Sequence, residues 1–273
     1  MKKIGFVDYY LDEWHANNYP AWIEEANKTL GTDYRVAYAW AEKESGIGTA
    51  AWCEKFGATP CATIEELCEK SDAIIILAPS DPDKHLQYAR RVFPCGKRVY
   101  VDKTFAPNYE EANEIFEFAK KYSTPFFSTS ALRYATELDE ISDVRHLMIT
   151  GGGGNLEEYI IHQAEMAVKL TGIHSASVNV SAQGNQRIIS VKGEGRDGKP
   201  VDIAFLYAPA MPFSVCAETT EGSSKYRAIK SEFFAALLTD ILRFFENGIL
   251  PFDPEETLAV VALRDAILAA DNN

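Results

Sequence analysis

The segment that decides the fold of this chain covers residues 73–133. It opens with Ala73-Ile-Ile-Ile-Leu-Ala-Pro-Ser80, reaches Arg98-Val-Tyr-Val-Asp-Lys103 after a helical run, and closes at Phe126-Phe-Ser-Thr-Ser-Ala-Leu-Arg133. Short apolar runs rich in β-branched residues, with helical patterns between them, are typical of βαβ units and indicate a parallel sheet. Ligands of open α/β sheets bind outside the carboxyl ends of the strands. The polar residues that follow these strands are therefore the first candidates for a functional site.

The same alternation of strand and helix patterns extends over the whole N-terminal half. It predicts a doubly wound parallel sheet, in an α/β domain that covers residues 1–130. The predicted strands are 3–7, 34–40, 73–77, 99–101 and 125–128, and the predicted helices are 14–30, 49–56, 64–68, 83–93 and 109–122. Pro20 interrupts the pattern of the first helix, and we expect it to mark the first turn.

The pattern changes after residue 130. Apolar–polar alternation with glycine-rich turns predicts strands at 144–150, 177–182, 187–192, 201–206, 213–218 and 225–229, and helices at 155–170, 231–247 and 254–269. The sequence Asp253-Pro254-Glu255-Glu256 supplies an N-cap, a proline in the first helical position and acidic residues in the first turn. We therefore expect an α+β domain with an open, mostly antiparallel sheet over residues 131–273. The last helices could also pack against the first domain.

Composition narrows the functional classes. The net charge of −13 over 273 residues argues against a nucleic-acid partner and against binding to an anionic membrane surface. No apolar run approaches the roughly 20 residues that a membrane span requires, and the N-terminus has no leader-like segment. The five cysteines include no C-x-x-C pair, so we expect reduced thiols in a cytoplasmic protein.

Several short motifs occur in an order that resembles the Gfo/Idh/MocA oxidoreductase family. The matching pieces are Ala78-Pro79-Ser80 with His85 (family T-P-x-x-x-H), Gly96-Lys97 through Asp102-Lys103 (G-K-x-V-x-x-E-K-P), Arg133-Tyr134 (R-[FY]), Glu158-x-x-x-His162-x-x-Glu165 (D-x-G-x-H-x-x-D) and Pro251 to Thr257 (P-x-x-x-x-E-T). The resemblance covers nearly the whole chain. It implies a Rossmann domain followed by a domain built on an open sheet, which in this family often packs against another subunit as a homodimer or homotetramer.

The resemblance also implies an NAD- or NADP-dependent oxidoreductase that acts on a sugar, a polyol or a similar small hydroxy compound. The residues it assigns are Lys103, His162 and Glu158 for catalysis, Ala78, Pro79, Ser80, His85 and Asp102 for the cofactor, and Arg133 and Glu165 for the substrate. Other interpretations stay open. Lys103 could have a purely structural role in an ion pair with Asp102. His162 could likewise be a core residue. A zinc site at Glu158, His162 and Glu165 would lack a fourth ligand at metal-like spacing, so we expect no metal.

The chain departs from the family directly after its first strand. The expected G-x-G-x-x-G loop is replaced by Gly5-Phe-Val-Asp8-Tyr-Tyr-Leu-Asp12-Glu13, although those glycines serve the tight turn and the approach of the pyrophosphate. The acidic residues of this loop would repel a dianion. No acid ends the second strand, where Glu42 or Glu44 would have to serve the ribose hydroxyls. A rival hypothesis follows: a non-catalytic, Rossmann-derived small-molecule-binding or regulatory protein that has lost dinucleotide binding.

Overall fold

A parallel sheet of six strands forms the centre of the first unit. The computed structural model of the protein describes residues 1–272, and its strand order in this sheet is β3-β2-β1-β4-β5-β6. The strands are β1 (Lys2–Asp8), β2 (Tyr34–Ala41), β3 (Thr59–Pro60), β4 (Ala73–Ile76), β5 (Arg98–Val101) and β6 (Phe126–Ser128). The two-residue β3 was not predicted, because a run that short carries no periodic signal.

Five helices connect these strands. They are α1 (Trp14–Leu30), α2 (Gly48–Phe56), α3 (Ile64–Lys70), α4 (Asp83–Val92) and α5 (Tyr109–Tyr122). The expectation for Pro20 was wrong: α1 begins at Trp14, so Pro20 lies inside the helix, past its first turn. Gly5 in β1 allows a helix to pack closely on the sheet, because a Cβ there would lie 2.4 Å from a side-chain carbon of Leu67 in α3.

The second sheet is mixed and mostly antiparallel. Its strands are β7 (Val144–Gly151), β8 (Ser175–Gln183), β9 (Gln186–Glu194), β10 (Pro200–Tyr207), β11 (Ser214–Thr219) and β12 (Ser224–Ala228), in the order β12-β11-β7-β10-β9-β8. Within this second sheet, the β7–β10 pair is the one parallel pairing among its described strands. The predicted fold class, a doubly wound parallel sheet followed by an α+β domain, is confirmed.

Helix α6 (Leu156–Thr171) and helix α8 (Pro254–Asp271) belong to the second unit. Their apolar side chains join the inward residues of the second sheet in one core, for example Ile160, Val260 and Phe205. The predicted N-cap of α8 is confirmed, since the Asp253 carboxylate accepts the backbone N–H of Glu255 at 3.0 Å. The cap holds because a carboxylate interacts favourably with the unsatisfied N–H groups of a helix start.

The chain divides into two compact units that are not continuous in sequence. The first contains Met1–Thr129 and Phe234–Phe252, and the second contains Ser130–Phe233 and the residues from Asp253 onward. Helix α7 (Phe233–Asn247) thus lies almost entirely in the first unit, where its apolar residues, among them Leu238 and Phe244, are buried. Among the described residues, every helix is too short or too polar to cross a membrane.

Candidate functional site

Lys103 follows β5 at the carboxyl edge of the first sheet. It is 9% exposed, and its ammonium donates one long hydrogen bond of 3.4 Å to the backbone oxygen of Pro79. Within the described residues it forms no ion pair with a carboxylate, so the Asp102–Lys103 pair that the sequence left open is not formed. A nearly buried ammonium with so few acceptors has donors to spare for an oxygen of a ligand.

Asp102 lies next to Lys103 in sequence, but its carboxylate contacts other residues. Its Oδ1 accepts hydrogen bonds from the hydroxyls of Tyr19 at 3.1 Å and Tyr100 at 3.3 Å, and its Oδ2 lies 3.8 Å from Nε2 of His15. Burial and the nearby Asp102 raise the pKa of Tyr19 well above its ordinary value, so this phenol remains a donor. Asp102 thereby anchors the edge of the sheet. Its assignment to the cofactor stays a prediction.

The loop after β4 and the first turn of α4 hold four of the predicted cofactor residues. Ala78 has a positive φ of 66° and Pro79 is buried, whereas Ser80 is exposed. His85 is fully buried, and its ring nitrogens contact the backbone oxygens of Phe105 at 2.9 Å and Leu77 at 2.5 Å. Because both nitrogens face backbone carbonyls, the geometry favours an indirect role for His85, which ties the loops after β4 and β5 together.

Asp8 ends β1 at the point where the strand order of the sheet reverses, between β1 and β4. This is the crevice in which open α/β sheets bind their ligands. The Oδ1 of Asp8 accepts the backbone N–H of Tyr9 at 2.7 Å and that of Ala78 at 3.0 Å, so the side chain bridges the ends of the two strands. Its Oδ2 is buried without a hydrogen bond. Burial, reinforced by the negative charge of Glu13, raises the pKa of Asp8 well above its ordinary value.

Glu13 occupies the N-terminus of α1. Its carboxylate accepts the backbone N–H of His15 at 2.8 Å and that of Ala16, and it also lies 3.3 Å from Nδ1 of His15. In Rossmann domains the pyrophosphate of a dinucleotide binds at this helix end, on the same kind of N–H groups. As arranged, the residues at this position do not fit a dinucleotide, because a carboxylate of the chain already holds the N–H groups.

The acids that follow β2 are also engaged within the chain. Glu42 accepts hydrogen bonds from the Lys84 ammonium at 2.6 Å and the Tyr88 hydroxyl at 2.7 Å, and the bond from Lys84 holds the pKa of Glu42 below its usual value. Glu44 accepts the backbone N–H of Thr49 at 2.6 Å. Both carboxylates proposed for the ribose hydroxyls therefore have partners without a ligand.

His162 lies on α6 in the second unit and is half-buried. Its Nδ1 is 2.7 Å from the Ser130 hydroxyl, and its ring packs edge-on against Tyr159 and Phe213. The backbone N–H of Ser130 donates to Oε2 of Glu165 at 3.1 Å. Ser130 was not predicted as a site residue; only its place directly after β6 could have suggested it.

Arg133 and Glu165 contact each other. The guanidinium of Arg133 forms a 2.7 Å ion pair with Glu165 and a second ion pair with Glu256, and all three side chains are largely buried. Burial opposes the positive charge, but the two carboxylates prevail and raise the pKa of Arg133. The arrangement favours a positioning role for both residues, whereas substrate contact stays a prediction.

Glu158 helps to begin α6. Its backbone N–H donates to Oδ1 of Asn155 at 2.8 Å, and Nδ2 of Asn155 contacts the Glu158 carboxylate at 3.4 Å. This geometry is close to a capping box, which gives Glu158 a structural role, and its assignment to catalysis stays a prediction. Among the described residues, no group of three or more His, Cys, Asp or Glu side chains is arranged to hold a metal ion.

Comparison with known proteins agrees with this architecture. Residues 16–129 match the Gfo/Idh/MocA family, described as an oxidoreductase family with an NAD-binding Rossmann fold. Oxidoreductase P35 of Formosa agariphila is 31% identical over 153 residues, which are 56% of this chain and 43% of that protein. The chain spans less than half the length of the curated relatives it matches.

Two solved structures share the fold over nearly the whole chain. UDP-N-acetylglucosamine 3-dehydrogenase GnnA from Acidithiobacillus ferrooxidans has a TM-score of 0.75 at 13% identity, over 98% of this chain and 97% of that one. GenD2 from gentamicin A biosynthesis, solved in complex with NAD, has a TM-score of 0.72 at 13% identity, over 100% and 95%. At these identities the likeness establishes the fold alone. Residues 16–129 therefore match the NAD-binding Rossmann domain of the Gfo/Idh/MocA oxidoreductase family, and the chain as a whole shares the fold of these two solved structures.

Proposed function

We propose that this protein is an NAD- or NADP-dependent oxidoreductase that acts on a sugar, a polyol or a similar small hydroxy compound. The family match supports the reaction type, and the name of the fold relative from Acidithiobacillus ferrooxidans, a sugar-nucleotide dehydrogenase, supports the substrate class. The observation that carries the proposal is the environment of Lys103: a nearly buried ammonium at the carboxyl edge of the sheet, with one carbonyl acceptor.

The role of Lys103 follows from that environment. A buried ammonium is costly unless oxygen acceptors surround it, and a hydroxyl or carbonyl oxygen of a substrate would supply one. In return, the ammonium can donate a proton to a carbonyl oxygen, and the neutral amine can accept one from a hydroxyl. We propose Lys103 as the residue that moves the proton of the reacting oxygen.

A second proposed acid–base residue is His162 on α6. The Ser130 hydroxyl lies 2.7 Å from Nδ1 and orients the imidazole ring, and an imidazole is suited to acid–base work near neutral pH. Glu165 holds the Ser130 backbone and is itself held by Arg133. We assign Glu165 and Arg133 as positioning residues for His162.

Substitution of Lys103 tests the proposal. Purified protein is screened with NAD⁺ and NADP⁺ against a panel of sugars, polyols and sugar nucleotides, with the formation of reduced nicotinamide as readout. With any substrate found, Lys103→Met is expected to lower kcat at least 100-fold, since acid–base groups typically contribute 10²–10⁴-fold. Lys120→Met is the matched control, because Lys120 is an exposed lysine of the same unit. Equal kcat for the wild type and Lys103→Met would overturn the assignment.

A second candidate is a binding or regulatory protein without a dinucleotide. The observation that favours it is the set of carboxylates, Asp8, Glu13 and Glu42, that already fill the crevice, the helix N-terminus and the ribose position. Titration calorimetry with NADH and NADPH separates the candidates. Micromolar binding supports the oxidoreductase, and no binding at millimolar concentration supports the rival.

We also propose that the protein forms a homodimer or homotetramer in the cytoplasm. Met148, Ile188 and Tyr226 expose large apolar surfaces on strands of the second sheet, and all five cysteines are free thiols, as a reducing compartment requires. Light scattering tests the assembly. A single-chain mass of about 30.4 kDa at high protein concentration would contradict it.

A further inference from the structure

We propose that Glu13 determines the dinucleotide affinity of this chain, by holding the N–H groups of α1 that a pyrophosphate needs. The inference rests on the proposed function and adds to it a residue that decides how tightly NADH or NADPH binds. In this view Glu13 is an internal competitor of the cofactor. Its carboxylate would have to leave the helix end before a pyrophosphate could bind there.

The competition is direct, because both groups use the same donors. Glu13 accepts the N–H groups of His15 and Ala16, two of the unsatisfied donors at the start of the 17-residue helix α1. An anion at this position also interacts favourably with the helix dipole, and a carboxylate satisfies that interaction as a phosphate does. Two anions cannot occupy it together without strong repulsion.

The internal carboxylate has an advantage over a free cofactor. Glu13 belongs to the chain, so its binding to the helix end costs no loss of translational freedom, whereas a dinucleotide must pay that cost. The side chain is also held in place: it is 9% exposed, and the ring of His15 lies 3.3 Å from its Oε2. A flexible surface glutamate would compete far less well.

The loop before Glu13 provides a matched control. Asp12 carries the same charge one residue earlier, but its carboxylate accepts the side-chain amide of Asn17 at 2.9 Å and the backbone N–H of Ile47 at 3.0 Å. It holds none of the N–H groups that Glu13 holds. If net charge alone set the dinucleotide affinity, neutralising Asp12 would therefore change that affinity as much as neutralising Glu13.

The experiment measures NADH and NADPH binding by titration calorimetry, with circular dichroism as the check of folding. The proteins are the wild type, Glu13→Ala, Glu13→Gln and Asp12→Asn. We expect Glu13→Ala to bind at least roughly tenfold tighter than the wild type, with Glu13→Gln in between, because the amide still accepts one N–H but carries no charge. Asp12→Asn should bind like the wild type.

Three results would overturn the inference, and they differ in what they say of the proposed function. Equal micromolar affinity of the wild type and both Glu13 variants removes the role of Glu13 and leaves the oxidoreductase intact. Tightening by Asp12→Asn equal to that by Glu13→Ala assigns the effect to net charge. No binding by any folded variant at millimolar NADH or NADPH removes both the inference and the dinucleotide dependence.

Discussion

Replacement of Arg133 by methionine is expected to destabilise the second unit by about 3 kcal/mol. Arg133 is 8% exposed and Glu165 is 3% exposed, so the change leaves a buried carboxylate without its cation. Breaking a buried pair in this way costs roughly 3–5 kcal/mol. The lower end applies here because Glu165 keeps the N–H of Ser130 and Glu256 keeps Arg196, at 3.1 Å each.

The assay has to report on the second unit. All four tryptophans lie in the first unit, so their fluorescence follows only that part of the chain. Urea unfolding is therefore followed by circular dichroism, together with hydrogen exchange of peptides from α6. The matched control is Arg227→Met, which removes an exposed pair with Glu140 of similar length, 2.6 Å.

Exposed pairs contribute roughly 0.2–1 kcal/mol, so the Arg227 control should change the free energy of unfolding little. The reasoning is refuted if Arg133→Met costs no more than Arg227→Met, or if the α6 peptides exchange as they do in the wild type. Such a result would mean that water or a rearranged side chain compensates the charge of Glu165. The burial of this ion pair would then not increase its contribution to the free energy of unfolding.

Two further predictions follow from shifted pKa values. Burial raises the pKa of Asp8, so its ionisation in the folded state weakens stability: the cost is absent below the ordinary carboxyl range near pH 4 and complete above the raised pKa. Asp8→Asn should therefore unfold at higher urea than the wild type at pH 8, and this advantage should disappear toward pH 4; an unchanged pH dependence would contradict the burial argument. The hydrogen bond from Cys68 lowers the pKa of Cys95 to about 7, so iodoacetamide at pH 7 should modify Cys95 before the partly exposed Cys216. Cys68→Ala should slow that reaction, with Cys216→Ala as control, as peptide mass spectrometry would show; equal rates at Cys95 and Cys216 would count against it.

The carboxylates around the crevice between β1 and β4 share a location at the carboxyl edge of the first sheet. Asp8 ends one strand and Asp102 follows another at the carboxyl edge of the same parallel sheet, and Glu13 caps the helix that comes after the first of those strands. In a family described by an NAD-binding fold, this edge would be expected to attract phosphate. Here Asp8 and Glu13 already accept backbone N–H groups at this edge, which is why dinucleotide affinity is the property that most needs measuring.

Sequence by itself determined the elements whose causes are local. The bounds of α1 and α5 were predicted to the residue, because apolar spacing and end residues act over a few positions. The Asp253 cap of α8 was predicted for the same reason. The order of strands and helices then restricted the fold to a doubly wound sheet and a mostly antiparallel one, since few topologies satisfy such an order.

The tertiary structure decided what each polar side chain does. Asp102 contacts Tyr19, 83 positions earlier, and Arg133 contacts Glu256, 123 positions later. No local pattern specifies such pairs, because burial and the packing of distant elements set which acceptor a donor reaches. The Glu13 cap is an intermediate case: its hydrogen bonds are local, but its importance depends on the sheet, which places that helix end beside the ligand crevice.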